Sequence, residues 1–274
     1  MATLAGRFFQ ADRRTDILAG TPRAQAIDRW IFVIMAAWFV MIVLTGFIPD
    51  SIMKIGMVQA GKRPPFPIVM HMHAALMGSF MLLLLTQTVL MATGRCEQHM
   101  KVGIAAFVLV PALVLVGFIL APTIYYETWN ALRSAPPEAQ EKLRTLLSHK
   151  ENVLLLQMRI GMLFPLFLAI GLRARRGHAG LHKRMMILGT AVVLPAAIDR
   201  MTWLPTTFPA SPLGTDLYTL LAVSPMFAWD VVRNQSVHRA YWIWLAVFVP
   251  FSVVVNALWD KPGWHSMARQ ILAV

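Results

Sequence analysis

Seven apolar blocks run along this chain, at residues 30–49, 68–93, 102–121, 152–172, 185–204, 216–232 and 241–259, with polar, basic or proline-rich segments between them. A helix rising 1.5 Å per residue needs about 20 apolar residues to cross the hydrocarbon core of a bilayer. The pattern therefore predicts an all-α, polytopic membrane protein, a seven-transmembrane-helix bundle. The sixth block is the most polar, because Asp230 falls near its end. The longest polar interruption, 125–151, places Leu143, Leu146 and Leu147 at helical spacing and predicts a short helix over 137–149 lying on the interface.

Composition agrees with this pattern. The chain has 274 residues, of which 57% are hydrophobic and only 14% charged, and its mean hydropathy is +0.59. A soluble domain is rarely so apolar. The division expected is a cytoplasmic N-terminal arm at 1–29, a transmembrane domain at 30–260 and a short external tail at 261–274. The arm carries Arg7, Arg13, Arg14, Arg23 and Arg29 and has no apolar core of a cleavable signal, so the first span is expected to direct its own insertion. The single cysteine, Cys96, allows no intramolecular disulfide and no cysteine-based metal centre.

The net charge of +12 would suggest a nucleic-acid partner in a soluble protein. Distributed over alternating loops, it has another meaning. Fourteen lysines and arginines fall on the side of the N-terminal arm and nine on the other. Short basic loops stay in the cytoplasm, which predicts an N-terminus inside, a C-terminus outside, and residence in a bacterial inner membrane. The partner is then the lipid bilayer, with a redox or membrane-complex protein as a possible second partner and no nucleic acid. Trp30, Trp129, Trp203, Trp229, Trp242, Trp244 and Trp259 fall near predicted span ends, as interfacial anchors do, and Trp38 lies mid-span.

The candidate chemistry centres on residues 63–103. Between Arg63 and Arg95 there is no formal charge, yet the predicted helix holds His71, His73 and Gln87. Ionisable groups inside a span are expensive and usually functional. Counting helix rise brings His73, Arg159, Asp199 and Arg200 to similar depth in the outer third. A network of Arg159 or Arg200 with Asp199 is the economical expectation, since a lone charge there is too costly. Helical phase separates the two histidines. His71 shares a face with Ala74, Ala75 and Gly78, a small-residue surface suited to helix contact, and His73 shares one with Met77, Phe80, Leu84 and Gln87. On the fifth span, His182, Gly189, Ala196 and Arg200 form a stripe expected to face inward.

The inside turns also repeat a basic–linker–histidine–basic form: Arg95 to His99 and Lys101, Arg176 to His182 and Lys183, Arg233 to His238 and Arg239. The expected organisation is a lead helix followed by three related hairpins. The hairpin with a Gly-Arg turn and a histidine opening a glycine-spaced return helix (His99, Gly103, Gly117) resembles small bacterial multi-pass membrane proteins of uncharacterised function. Over residues 68–120 and 181–204 it is also loosely similar to b-type cytochrome membrane proteins, in which histidines on neighbouring helices ligate haem. It departs from the pattern that pairs histidines at both faces of four consecutive helices, since the second span has histidine only at its outer end.

Four readings follow. A redox protein would use His71 or His73 as one axial ligand of haem b, with His149 as the second, or a further site among His99, His182 and His238. A copper protein would use the Met70-His71-Met72-His73 run with Met77 and Met81, thioether and imidazole being copper(I) ligands. A proton-coupled transporter would use the Asp199, Arg159, Arg200 and histidine set as a relay. A non-catalytic membrane subunit or assembly factor would use the same groups structurally. The chain has no HExxH, GxSxG or P-loop pattern, and no His-x-x-x-His pair in the last span, which disfavours the seven-span zinc hydrolases that carry such a pair. Whether the protein is an enzyme stays open at this stage.

Overall fold

The computed structural model of the protein describes residues 26–274, so most of the expected N-terminal arm lies outside the described residues. Among them it is 81% helical with no strand. We number the helices α1 (Ala26–Gln59), α2 (Ile68–Ala92), α3 (Cys96–Gly103), α4 (Ala106–Ser134), α5 (Pro137–Ala174), α6 (Ala179–Ala191), α7 (Pro195–Ile198), α8 (Leu213–Asn234), α9 (Arg239–Leu258) and α10 (Pro262–Ile271). Six segments are long and apolar enough to cross a membrane: α1, α2, α3 with α4, α5, α6 with α7, and α9. The protein is thus an α-helical, multi-pass integral membrane protein. The first five of these segments alternate in direction, which defines a first face, where α1 begins, and a second face, where it ends.

Several boundaries differ from expectation. The first span does not stop at Pro49. Helix α1 continues through it to Gln59, and Lys54 closes a 2.6 Å ion pair with Asp50 one turn earlier. The long polar loop is absent as a loop. α4 runs on to Ser134, residues 135–136 make the turn, and α5 is one helix of 38 residues rather than an interfacial helix followed by a span. Pro137 sits at the first position of α5, where its missing N–H has no helical partner to lose. The expected fifth span starts earlier and is broken at 192–194, before Pro195.

The core is centred on α6 and α7. Of their most apolar window 78% is buried, against 17% for α2. α6 packs on α5, α9, α1 and α8. Small residues permit its close contact with α5: a Cβ on Gly189 would come 3.0 Å from Leu168 Cδ2 and 3.1 Å from Phe167 Cβ. Phe39, Phe80, Phe167, Trp244 and Phe248 fill the space around them. Trp244, expected at an interface, is instead in this core, stacked on Phe248 with ring centres 4.5 Å apart. α2 turns Phe80 and Leu84 inward with His73 half-buried beside them, as the phase predicted, whereas His71, Ala74, Ala75 and Gly78 are exposed. Nothing lies within 4 Å of a Cβ placed on Gly78, so this small-residue face makes no close helix contact within the chain.

α8 is the segment that hydropathy leaves out. It carries Asp216 and Asp230, both buried, and each meets an arginine from a neighbouring span. Arg159 of α5 donates to Asp216 through both terminal nitrogens, at 2.9 and 2.6 Å, and Ser252 of α9 donates to the same carboxylate. Arg184 of α6 donates to Asp230 from Nε at 2.7 Å and Nη2 at 2.6 Å, and Tyr241 of α9 adds a 2.6 Å bond. Such two-pronged pairing neutralises the charges that lower the hydropathy of α8.

Candidate functional site

The predicted outer-leaflet set does not converge on one point. His71 is exposed, with Phe66 edge-on at 6.1 Å, and His149 packs edge-on against Phe208 at 5.4 Å. His73 is half-buried, and its Nδ1 is buried without a hydrogen-bond partner. Arg159 pairs with Asp216, not Asp199. Arg200 lies 3.4 Å from Asp50 and donates to the Ala196 carbonyl, while Asp199 is exposed. Asp216 and Asp50 were the missed partners. Asp216 marks a helix start and Asp50 follows a proline, so each read as a boundary rather than as the partner of an arginine.

Of the predicted histidines at the first face, His99 and His182 come together. α2 ends in a Schellman turn: Gly94, at φ +76°, donates to Met91 O at 3.2 Å, and Arg95 donates to Leu90 O at 2.8 Å. The turn launches α3 alongside α2, so that His99 returns to Gln87, with Nδ1 3.3 Å from its backbone oxygen. The second hairpin turn at the first face repeats the arrangement, with His182 of α6 donating from Nδ1 to the Gly171 carbonyl at 2.8 Å. A carbonyl can only accept, so the neutral His182 ring carries its lone pair on Nε2. The rings of His99 and His182 are 6.3 Å apart, centre to centre, and nearly perpendicular at 82°.

Gln87, singled out in the sequence, governs His99. With its amide nitrogen toward His99 O (2.9 Å) and its oxygen accepting from Gly103 N (3.0 Å), the amide donates to His99 Nδ1 at 2.6 Å and places the ring proton on Nε2. Turned over, the amide would set its oxygen against the His99 carbonyl and its nitrogen against the Gly103 N–H, so the neighbours fix the first orientation. The third predicted member, His238, is used otherwise. Its Nδ1 accepts from Ala240 N at 3.1 Å and caps α9. Burial, then the charges of Arg184, Arg239 and Lys183, push this imidazole down to about 2, so it stays neutral.

The transport reading requires continuity between the buried polar groups. Asp230 and Asp216 are 14 residues apart on α8, about 21 Å of helix. The space between is filled by Phe167, Met226, Trp244 and Phe248 of the apolar core. The two arginine–aspartate pairs are separate staples.

A second polar cluster, legible only in three dimensions, lies at the second face. The Glu151 carboxylate is 1% exposed and receives His265 Nδ1 at 2.6 Å, Arg269 Nε at 2.8 Å and Tyr125 Oη at 3.0 Å. The bond to Glu151 pushes the Arg269 guanidinium further up, which keeps it charged. α10 lies over this carboxylate with Trp264, Ala268 and Leu272 buried beneath it and Trp264 Nε1 donating to Glu151 O at 2.8 Å. An open cleft of about 530 Å³ borders the cluster.

No protein-family model, curated protein or solved structure matches the chain significantly. No group of three or more histidine, cysteine, aspartate or glutamate side chains is placed to hold a metal ion among the described residues.

Proposed function

We propose that this integral membrane protein is an electron-transferring haem b protein of a bacterial inner membrane, with His99 and His182 as the axial ligands. α8 makes the seventh crossing and the N-terminus lies in the cytoplasm. The reading is carried by the 6.3 Å between the two rings. That spacing is of the order two imidazoles would need to hold one iron between them. The Gly171 carbonyl on His182 Nδ1 is the outer-shell bond that a ligating histidine uses to direct Nε2 to its metal. For His99 the Gln87 backbone carbonyl, 3.3 Å from Nδ1, would take that role once haem binding displaces the side-chain amide from Nδ1. Arg95, Arg175 and Arg176 at this face suit the carboxylates of a haem edge. The haem would supply the redox couple, and the chain would supply its ligands and their orientation.

Absorption spectra of the purified protein, oxidised and dithionite-reduced, test this. A Soret band with reduced α and β bands is expected, lost in His182→Ala and in His99→Ala and retained in His71→Ala, His73→Ala and His149→Ala. Loss only in the latter three would move the site to the outer leaflet. A colourless preparation that does not take up added haemin would sink the redox reading. A non-catalytic membrane subunit would then remain, which the fully partnered arginine–aspartate pairs favour. Cysteine accessibility on either side of α8 tests the seventh crossing: labelling of residues 206 and 236 from the same side would remove it.

A further inference from the structure

The cleft at the second face holds an arrangement that the haem reading does not use. Its lining includes Ser148, His265, Ser266, Arg269 and Gln270. Ser148 Oγ is 3.5 Å from His265 Nε2, and His265 Nδ1 is 2.6 Å from Glu151 Oε2. A hydroxyl facing one imidazole nitrogen, with a buried carboxylate on the other, is the arrangement of an activated serine nucleophile. It is recognised by geometry and roles, not by chain order. We propose that Ser148, His265 and Glu151 form a serine esterase site acting on carboxylic esters at the membrane surface, with Ser148 as nucleophile, His265 as general base and Glu151 as the positioning residue.

Each part has a structural reason. Ser148 and Glu151 are three residues apart on α5 and so share a face. α10 folds back on that face by burying Trp264, Ala268 and Leu272, which brings His265 between them. Tyr125 and Arg269 hold the carboxylate in place. The absence of GxSxG means only that the serine does not sit on a strand-to-helix elbow. Asp260 Oδ1 also faces His265 Nε2, at 3.2 Å. Its side chain is 71% exposed at the end of α9, and it must leave that nitrogen to the serine for reaction. The cleft is of ligand size. Near it, Leu146, Met267 and Ile271 expose apolar surface, which suits an ester with an acyl chain drawn from the bilayer.

In the reaction, Ser148 Oγ bonds to the ester carbonyl carbon as its proton passes to His265 Nε2. The carbon–alkoxide bond then breaks and the departing alcohol takes that proton. Water attacks the acyl-serine, gives a proton to Nε2, and the acid leaves as the proton returns to Ser148. Arg269 and Gln270 bring N–H donors to the cleft where oxyanion charge develops.

The test uses the full-length protein in detergent micelles, a fluorescent fluorophosphonate, and p-nitrophenyl butyrate and palmitate. One covalent label per chain is expected, absent in Ser148→Ala, whose thermal midpoint should match the wild type. Hydrolysis should fall by 100-fold or more in Ser148→Ala and in His265→Ala, and Asp260→Asn should raise it. A wild type that is neither labelled nor hydrolytic overturns the proposal, as does a label that survives Ser148→Ala. A purely structural Glu151 cluster would lose α10 docking in His265→Ala but would never carry a phosphonate on Ser148. The label is independent of the absorption bands, so this site and the haem reading can fail separately.

Discussion

Asp216→Ala should lower the thermal midpoint of the detergent-solubilised protein by roughly 10 °C or more. It leaves Arg159, whose side chain is 2% exposed, charged in the bundle with no carboxylate. Removing one member of a buried pair costs about 3–5 kcal/mol, most of it the penalty of the stranded partner, and in a chain of this size each kcal/mol shifts the midpoint by about 2–4 °C. Arg159→Ala should do comparable damage by stranding Asp216, although Ser252 still donates to that carboxylate. The combination Arg159→Met with Asp216→Leu should recover most of the loss, because apolar residues of similar volume replace a buried pair at little cost. The same logic applies to Asp230→Ala, where both Arg184 and Tyr241 lose their acceptor. Thermal midpoints and the monodisperse fraction on gel filtration check this. Single variants that melt with the wild type would show that the pairs do not hold α8 in place.

Gly46→Ala should be nearly as damaging, for a different reason. A Cβ at position 46 would lie 2.2 Å from the Ala197 carbonyl oxygen, 2.8 Å from its carbon and 3.0 Å from its Cα. These are backbone atoms, so no rotamer change relieves the clash, and α1 must move off α7. Overpacking of this kind costs about 1–3 kcal/mol and more where the backbone is fixed. Gly78→Ala and Gly117→Ala are the controls. Neither Cβ would meet anything within 4 Å. Each should be neutral or stabilising by up to about 1 kcal/mol, since alanine is the better helix former. Equal losses at all three positions would point to a general intolerance of α1, α2 and α4 rather than to the contact at Ala197.

How far the site could be read in advance depended on the distance over which its parts communicate. His99, His182 and Gln87 were legible because each histidine lies close in sequence to the helix end that it closes, so a local basic–histidine pattern encodes the turn. That the two turns place their rings 6.3 Å apart depends on how α2, α3, α5 and α6 pack, and no local pattern carries that. The expected Arg159–Asp199 pairing failed because depth alone was used. Depth fixes the level of a side chain in the bilayer but not its bearing around the bundle, and Asp216 shares both with Arg159.

The sequence by itself determined that this chain is a helical membrane protein. Twenty-residue apolar blocks can satisfy their backbone in hydrocarbon only as helices. It also determined which helices would carry charge. The tertiary structure decided what those charges do. Asp216 and Asp230 make α8 the most polar of the expected spans, and their charges are met by Arg159 and Arg184 from helices far away in sequence. Glu151, Ser148 and His265 likewise read as unrelated polar residues until the burial of Trp264, Ala268 and Leu272 folds α10 back over α5. The physical reason is the same in both cases: apolar burial is written along the chain, whereas the partner of a buried charge is chosen by packing.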